Sequence, residues 1–336
     1  MKAPGFWDAP PDRPGLRARL LSPLGALYAR ATARRLARGD GWRAPVPVIC
    51  VGNINAGGTG KTPTVQAVVM RLRDRGLSPA ILSRGHGGRL AGPVAVDSEV
   101  HDAGDVGDEP LLAAAFAPTW VARDRVAGAR AICADETADC IVMDDGFQNP
   151  ALARDISLVV VDAARGFGNG RCLPAGPLRE PVAAGMARAD LVLSVGDDTA
   201  QAAFDSQWAG AVTVPRMRGR LVPLLTGMDW TGARVLAFAG IGHPEKFFAT
   251  LHTLGAKVLR EVALSDHQPL TPALMARILH DAESLGAQPV TTEKDAVRLP
   301  ADIRRQVLVV PVRLEVADWG PFDAALERCG IGGGAR

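Results

Sequence analysis

VICVGNINAGGTGKTPTVQAVVMRL, residues 48–72, joins an apolar run rich in Val and Ile to a glycine-rich loop, and that loop to a stretch with helical periodicity. Strand, loop and helix in this order form a phosphate cradle. Glycines let backbone N–H groups approach an anion, and the N-terminus of the following helix adds the positive end of its dipole. Lys61 is placed to neutralise the β and γ oxygens of a nucleotide, and the Thr62 hydroxyl to ligate Mg²⁺. The cofactor-binding set is therefore Asn55, Ala56, Gly57, Gly58, Thr59, Gly60, Lys61 and Thr62. The strict GxxxxGK[ST] pattern has Gly where this chain has Asn55, but the joint occurrence of strand, GGTGKT and helix outweighs that departure.

A phosphate loop of this kind needs a second acid for its metal at the end of a neighbouring apolar strand. Cys140–Asp145, CIVMDD, meets that description and offers Asp144 and Asp145, although a strand-terminal Asp pair can also cap a turn. The runs Val46–Val51, Pro79–Leu82, Ile156–Val161 and Leu191–Val195 also read as buried strands, with helical segments after most of them. This alternation predicts an α/β fold, a P-loop NTPase-like and mostly parallel sheet with helices on both faces. Residues 45–211 form that core. Residues 212–226, VTVPRMRGRLVPLLT, read as a hairpin linker around Arg218-Gly219. Residues 227–328 read as a smaller C-terminal α/β domain, with strands at Val235–Ala239, Pro289–Thr292 and Val307–Val312 and a helix from Pro244. Only the last few residues, rich in glycine, are expected to be disordered.

The 336 residues carry a net charge of only +2, so no global basic field points to nucleic acid. The charge is uneven, because residues 1–45 hold nine Lys/Arg against three Asp/Glu. Within residues 1–44, Ser22-Pro23 reads as the start of a helix that Gly39 closes. Leu24, Leu27, Tyr28 and Ala31 form an apolar stripe on it, and Arg30, Arg34 and Arg38 a basic one. Such a helix lies in a membrane interface or packs as a surface helix on its own domain. The five cysteines are odd in number and scattered without a CxxC pair, which suggests neither a disulfide framework nor a zinc site and fits buried or idle thiols in a reducing compartment. No signal-peptide pattern and no apolar run of about eighteen residues occurs, so the chain is expected neither to span a membrane nor to be exported.

Nucleotide binding alone leaves a kinase, a GTPase-type switch and an ATPase motor open. A GTPase carries an [NT]KxD base-recognition run, and the nearest approach, Thr292-Glu293-Lys294-Asp295, has the wrong order. Asp108 and Glu109 stand in a Gly/Pro-bounded loop, where an acid can take the proton of an attacking hydroxyl or cap a helix. Asp266-His267 lies in a polar loop of the second unit, and Arg179-Glu180 ends a stiff proline-rich loop suited to charge stabilisation, metal contact or a plain salt bridge.

Together VGNINAGGTGKTP, SRGHGG (83–88), GDEP (107–110), MDDGFQN (143–149), LPAGPLREP (173–181), SDH (265–267) and TEKDAVRLP (292–300) resemble the tetraacyldisaccharide 4'-kinase family, in the same order from about residue 14 to about residue 320. The resemblance implies ATP- and Mg²⁺-dependent phosphorylation of the 4'-hydroxyl of the lipid A disaccharide 1-phosphate precursor, giving lipid IVA. It places the protein on the cytoplasmic face of the Gram-negative inner membrane, which the N-terminal helix meets. It implies Asp108 as general base with His267 tuning its basicity, and Lys61 and Arg179 as charge stabilisers. Thr62, Asp144, Asp145 and Glu180 would form the metal environment, with Gln148 lining the site as a further cofactor-binding residue and Arg84 beside it. It names no protein partner and no nucleic acid. Two positions depart from the family's usual residues: Asn149 stands where His is common, and His86 where an aromatic is common. A kinase for a soluble sugar or cofactor is the other reading, and it would need no basic amphipathic N-terminus.

Overall fold

Strands with continuous apolar sequence belong in a sheet covered on both faces, and that is where the computed structural model, which describes residues 4–39, 41–224 and 226–332, places them. In chain order the first strands are β1 (Val48–Gly52), β2 (Pro79–Ser83), β3 (Val94–Ala95), β4 (Thr119–Val121), β5 (Cys140–Asp144), β6 (Ile156–Asp162), β7 (Leu191–Val195) and β8 (Arg216–Pro223). There follow β9 (Arg234–Ala239), β10 (Lys257–Ala263), β11 (Gln288–Thr292), β12 (Leu308–Val310) and β13 (Val312–Val316). The larger sheet has the order β13-β8-β7-β6-β1-β5-β2-β4-β3 and is parallel except at its two edges. A smaller parallel sheet, β10-β9-β11-β12, lies beyond it.

The alternation of side chains along β1 divides the large core into two layers. Val48 and Cys50 join Met143, Phe147, Val161 and Phe167 on one face. Ile49 and Val51 join Val65, Val69 and Leu72 of α2 (Lys61–Asp74) on the other. From β1 the chain crosses through α2 to β2, leaving a place that β5 fills, while β6 pairs with the other side of β1. The carboxyl ends of β5, β1 and β6 thus meet where the strand order turns, the position at which open α/β sheets bind ligands.

Three expectations are corrected. Residues 212–226 form no hairpin: β8 is one continuous strand, parallel to β7 and antiparallel to β13, because β13 supplies the partner that the Arg218-Gly219 turn was to provide. The run Val307–Val312 divides at Pro311, which has no N–H for a ladder, and β12 and β13 go to different sheets. The N-terminal helix α1 spans Gly15–Leu36 and carries Pro23 inside it. Arg19, whose carbonyl loses a helical donor to that proline, is exposed, and the Ser22 hydroxyl donates to Ala18 O at 2.7 Å. The glycine-rich end expected to be disordered, residues 333–336, lies outside the described residues.

In α1 the small residues face inward. Ala18, Gly25 and Thr32 are buried, a Cβ on Gly25 would stand 2.8 Å from Cys172 O, and Arg171 donates to Ser22 Oγ at 2.7 Å. The large apolar side chains Leu16, Leu20, Leu24, Leu27 and Tyr28 are exposed. No helix among the described residues is long and apolar enough to cross a membrane.

Candidate active site

The loop after β1 is held by its own side chains. Asn53 Nδ2 donates to Thr59 Oγ1 (3.1 Å) and Gly57 O (3.4 Å), and Thr64 Oγ1 donates to Gly60 O (2.8 Å). Gly60 caps α2 at φ +87°, a left-handed conformation that costs a side-chain-bearing residue, and no side chain caps that helix end. Gly57 and Gly58 are exposed, and a Cβ on either would meet nothing within 4 Å, so the mouth of the cradle is open. Asn55 is explained by structure: it is buried, and its Nδ2 donates to Gly166 O at 3.0 Å. Ala56 N donates to Pro177 O and Arg179 N to Ile54 O, both at 2.7 Å, which lashes the proline-rich loop to the cradle. Thr62 stands beside Lys61 in the first turn of α2.

Lys61 Nζ lies 3.7 Å from Asp145 Oδ1, and Arg179 Nη1 donates to the same oxygen at 3.3 Å and to Gln148 Oε1 at 3.2 Å. Burial works against ionisation of Asp145, but Lys61 and then Arg179 outweigh it and hold its carboxyl below the usual carboxylate range. Asp144 behaves in the opposite way. Burial, then Glu109 and Asp145, push it up to about 7 against the pull of Lys61 and Arg125. Among the described residues its carboxylate has only Ser83 Oγ, 3.5 Å away, because buried Arg125 spends Nη2 on the Asp144 backbone oxygen at 2.9 Å. Both oxygens of Glu180 are taken, Oε1 by Gln148 Nε2 (3.0 Å) and Oε2 by Arg188 Nη2 (2.5 Å).

The second group of site residues bridges the two sheets. Gly107 at φ +92° packs so closely on the 85–88 loop that a Cβ there would lie 2.5 Å from His86 O. Asp108 follows as the first residue of the helix Asp108–Ala113, and it is buried. Its Oδ2 lies 2.9 Å from His267 Nδ1 and 3.8 Å from Arg298 Nε. Burial opposes its charge, yet the hydrogen bond from His267 and the cations Lys294 and Arg298 keep it below the ordinary range. His267, in return, is raised chiefly by that bond. Lys294 Nζ reaches Glu109 Oε1 at 3.2 Å, so the Asp108 group and the Asp144 group share Glu109.

The sequence-derived residues therefore fall into two adjoining groups, with two exceptions. Arg84 is exposed, and Asn149 caps its own turn, accepting from Ala151 N at 2.8 Å. His86 sits with its ring 5.9 Å from that of His267, edge to face. Asn53, Arg125, Arg188, Lys294 and Arg298 were given no role from sequence, and Glu109 was offered only as an alternative to Asp108. Lys294 and Arg298 belong to TEKDAVRLP, whose acids and bases were the signal for them, whereas nothing local marks Arg125 or Arg188.

Known proteins are similar to this chain over nearly its whole length. The profile described as tetraacyldisaccharide-1-P 4'-kinase matches residues 17–329. The chain is 64% identical to the tetraacyldisaccharide 4'-kinase of Dinoroseobacter shibae over 97% of both chains. It is 60% identical to that of Jannaschia sp., covering 98% of this chain and 99% of the relative. Its fold is similar to the crystal structure of LpxK from Aquifex aeolicus in complex with ATP, with a TM-score of 0.73 at 24% identity over 94% of this chain and 99% of the other. On the strength of the profile and of these near full-length identities, the chain belongs to the tetraacyldisaccharide-1-P 4'-kinase family.

Proposed function

We propose that this chain transfers the γ-phosphate of ATP to the 4'-hydroxyl of a tetraacylated disaccharide 1-phosphate, forming lipid IVA in lipid A biosynthesis, at the cytoplasmic face of the inner membrane. The observation that carries the reading is the pairing of Asp108 with His267, 2.9 Å apart and contributed by different sheets, beside strand ends that carry a phosphate loop. A buried carboxylate held as an anion next to a phosphate cradle accepts a proton from an attacking alcohol. A GTPase switch needs no such group. The run that approached a base-recognition motif is instead the helix Glu293–Ala296, whose lysine faces His267.

In this reading the open backbone of Gly57–Gly60 and the first turn of α2 hold the triphosphate, while Lys61 and Arg179 face the charge that develops on the transferred group. Gln148, itself bonded to Glu180 and through it to Arg188, fixes the Arg179 side chain at the mouth of the cradle. Asp144 fits a divalent cation: it is a buried, nearly unpartnered hard-oxygen donor beside a second acid. Among the described residues no three His, Cys, Asp or Glu converge as a metal site. Thr62, Asp144 and Asp145 would hold Mg²⁺, which when bound neutralises phosphate charge. Asp108 meanwhile takes the hydroxyl proton, and closure of the smaller sheet over the larger keeps water from the phosphate.

The exposed leucines of α1, with Arg17, Arg19, Arg30, Arg34 and Arg35, give the acylated substrate its meeting place, because apolar side chains enter the interface and arginines meet anionic headgroups. A soluble-sugar kinase would have no use for such a face. The deciding experiment is transfer of label from γ-labelled ATP to acylated glucosamine disaccharide 1-phosphate, with and without Mg²⁺. A labelled lipid is expected. Absence of labelled lipid, or equal turnover of an unacylated disaccharide, overturns the assignment.

A further inference from the structure

With Nδ1 of His267 committed to Asp108, its other ring nitrogen has a partner too. Lys294 Nζ lies 3.1 Å from Nε2. The next nearest acceptor, Asp266 Oδ1, is 3.7 Å away, beyond hydrogen-bond reach. An ammonium has three donors and no acceptor, so a charged Lys294 can only give a proton to that bond, and Nε2 must offer its lone pair. A carboxylate at Asp108 can only accept, so Nδ1 must carry the hydrogen.

We propose that Lys294 is a positioning residue for the transfer step, fixing His267 as the neutral Nδ1–H tautomer so that the imidazole only donates to Asp108 and Asp108 alone is left to take the hydroxyl proton. This rests on the reading of Asp108 given above.

The mounting of the two residues supports the assignment. His267 stands at φ +55°, a costly conformation for a side-chain-bearing residue, and its N–H is held by Gly240 O at 3.1 Å. Gly240 N in turn donates to both oxygens of Asp295, the neighbour of Lys294, at 3.1 Å each. One residue of the β9 end therefore sets both members of the pair. Lys294 keeps its charge: burial opposes it, but Glu109, Asp108 and Asp266 raise its pKa, and that charge works against the upward pull of Asp108 on His267. The charged and titratable groups facing His267 are Asp108, Asp266, Lys294 and Arg298, with the His86 ring at its edge and Glu109 behind Lys294. A serine-protease arrangement, in which Nε2 is the base, is excluded by the ammonium that occupies it.

The test is the tautomer itself. In ¹⁵N-labelled protein near pH 9, imidazole nitrogen shifts of His267, assigned by their loss in His267→Asn, are expected to show a neutral ring protonated at Nδ1. In Lys294→Met, which keeps the stem and drops the ammonium, His267 should gain a second proton. Its kcat should fall about tenfold more near pH 6 than near pH 9, with KM for ATP within about twofold of the parent. Lys294→Arg, which keeps the cation, should restore the parental pH profile. A parental ring protonated at Nε2, or a Lys294→Met loss that is equal at every pH with an unchanged tautomer, overturns the proposal. The nitrogen shifts need no lipid, so failure of lipid phosphorylation would sink the kinase reading and leave this measurement to be judged by itself.

Discussion

Replacing Leu20 and Leu27 by glutamine isolates the membrane-facing stripe of α1. Leu20 is 70% exposed and Leu27 59%, so neither supports the fold. Full burial of a leucine side chain contributes about 1.5–3 kcal/mol, and roughly two-thirds of each is free to enter a headgroup boundary. The pair then contributes roughly 2–4 kcal/mol to partition, which is about 30- to 900-fold. Glutamine has nearly the helix propensity of leucine, so the melting temperature should hold within the error of a surface change. The assay is co-sedimentation with vesicles containing anionic lipid, at low and high salt. Deleting residues 1–39 would be less clean, because it also strips Arg171 of Ser22 and uncovers the seat of Gly25. Undiminished vesicle binding by the double variant would refute the interfacial role of this helix.

Three further outcomes are expected. Asp108→Asn should lower phosphate transfer about 10²–10⁴-fold while calorimetry shows parental ATP affinity, and transfer at the parental rate would remove Asp108 as base. Asp144 is raised from 3.8 to about 7, so between those values the folded chain binds a proton the unfolded chain has released. Stability should therefore fall as pH rises through that window and level off above it, in melts without divalent cation; a slope identical in Asp144→Asn would contradict the assignment. Finally, a Cβ at Gly52 would stand 2.5 Å from Phe147 Cβ, and Phe147 is fully buried. Gly52→Ala should cost about 1–3 kcal/mol in chemical denaturation and weaken nucleotide binding, and parental stability would show that the turn after Asp144 yields.

What the sequence revealed and what it concealed follow from range. The phosphate loop and the acids ending β5 are local: strand, glycines and helix lie within residues 48–72, and β5 ends in its own Asp144. The contact of Asp108 with His267 joins residues 159 positions apart, and the residues themselves offered only two polar loops until the family resemblance linked them. Arg125 and Arg188 carried no mark, because each matters through the turn or acid that the fold brings to it. β10 was missed because Lys257, Arg260 and Glu261 hide its apolar residues, as expected at a sheet edge. The start of α1 was misplaced because Ser22-Pro23 imitates a helix beginning, and only the exposure of Arg19 shows why the helix passes through it.

The antiparallel edge strand β13 has a bearing on how the chain matures. Val312–Val316 seals β8, and Phe322, Ala325, Leu326 and Ile331 complete the layer over α2. The nucleotide-binding half is thus finished only by residues made after the whole smaller sheet. Until then β8 exposes an unpaired ladder, the kind of surface that nascent chains must have shielded. A stop codon after β12 would remove no residue of the active site, yet it would leave that ladder open for good.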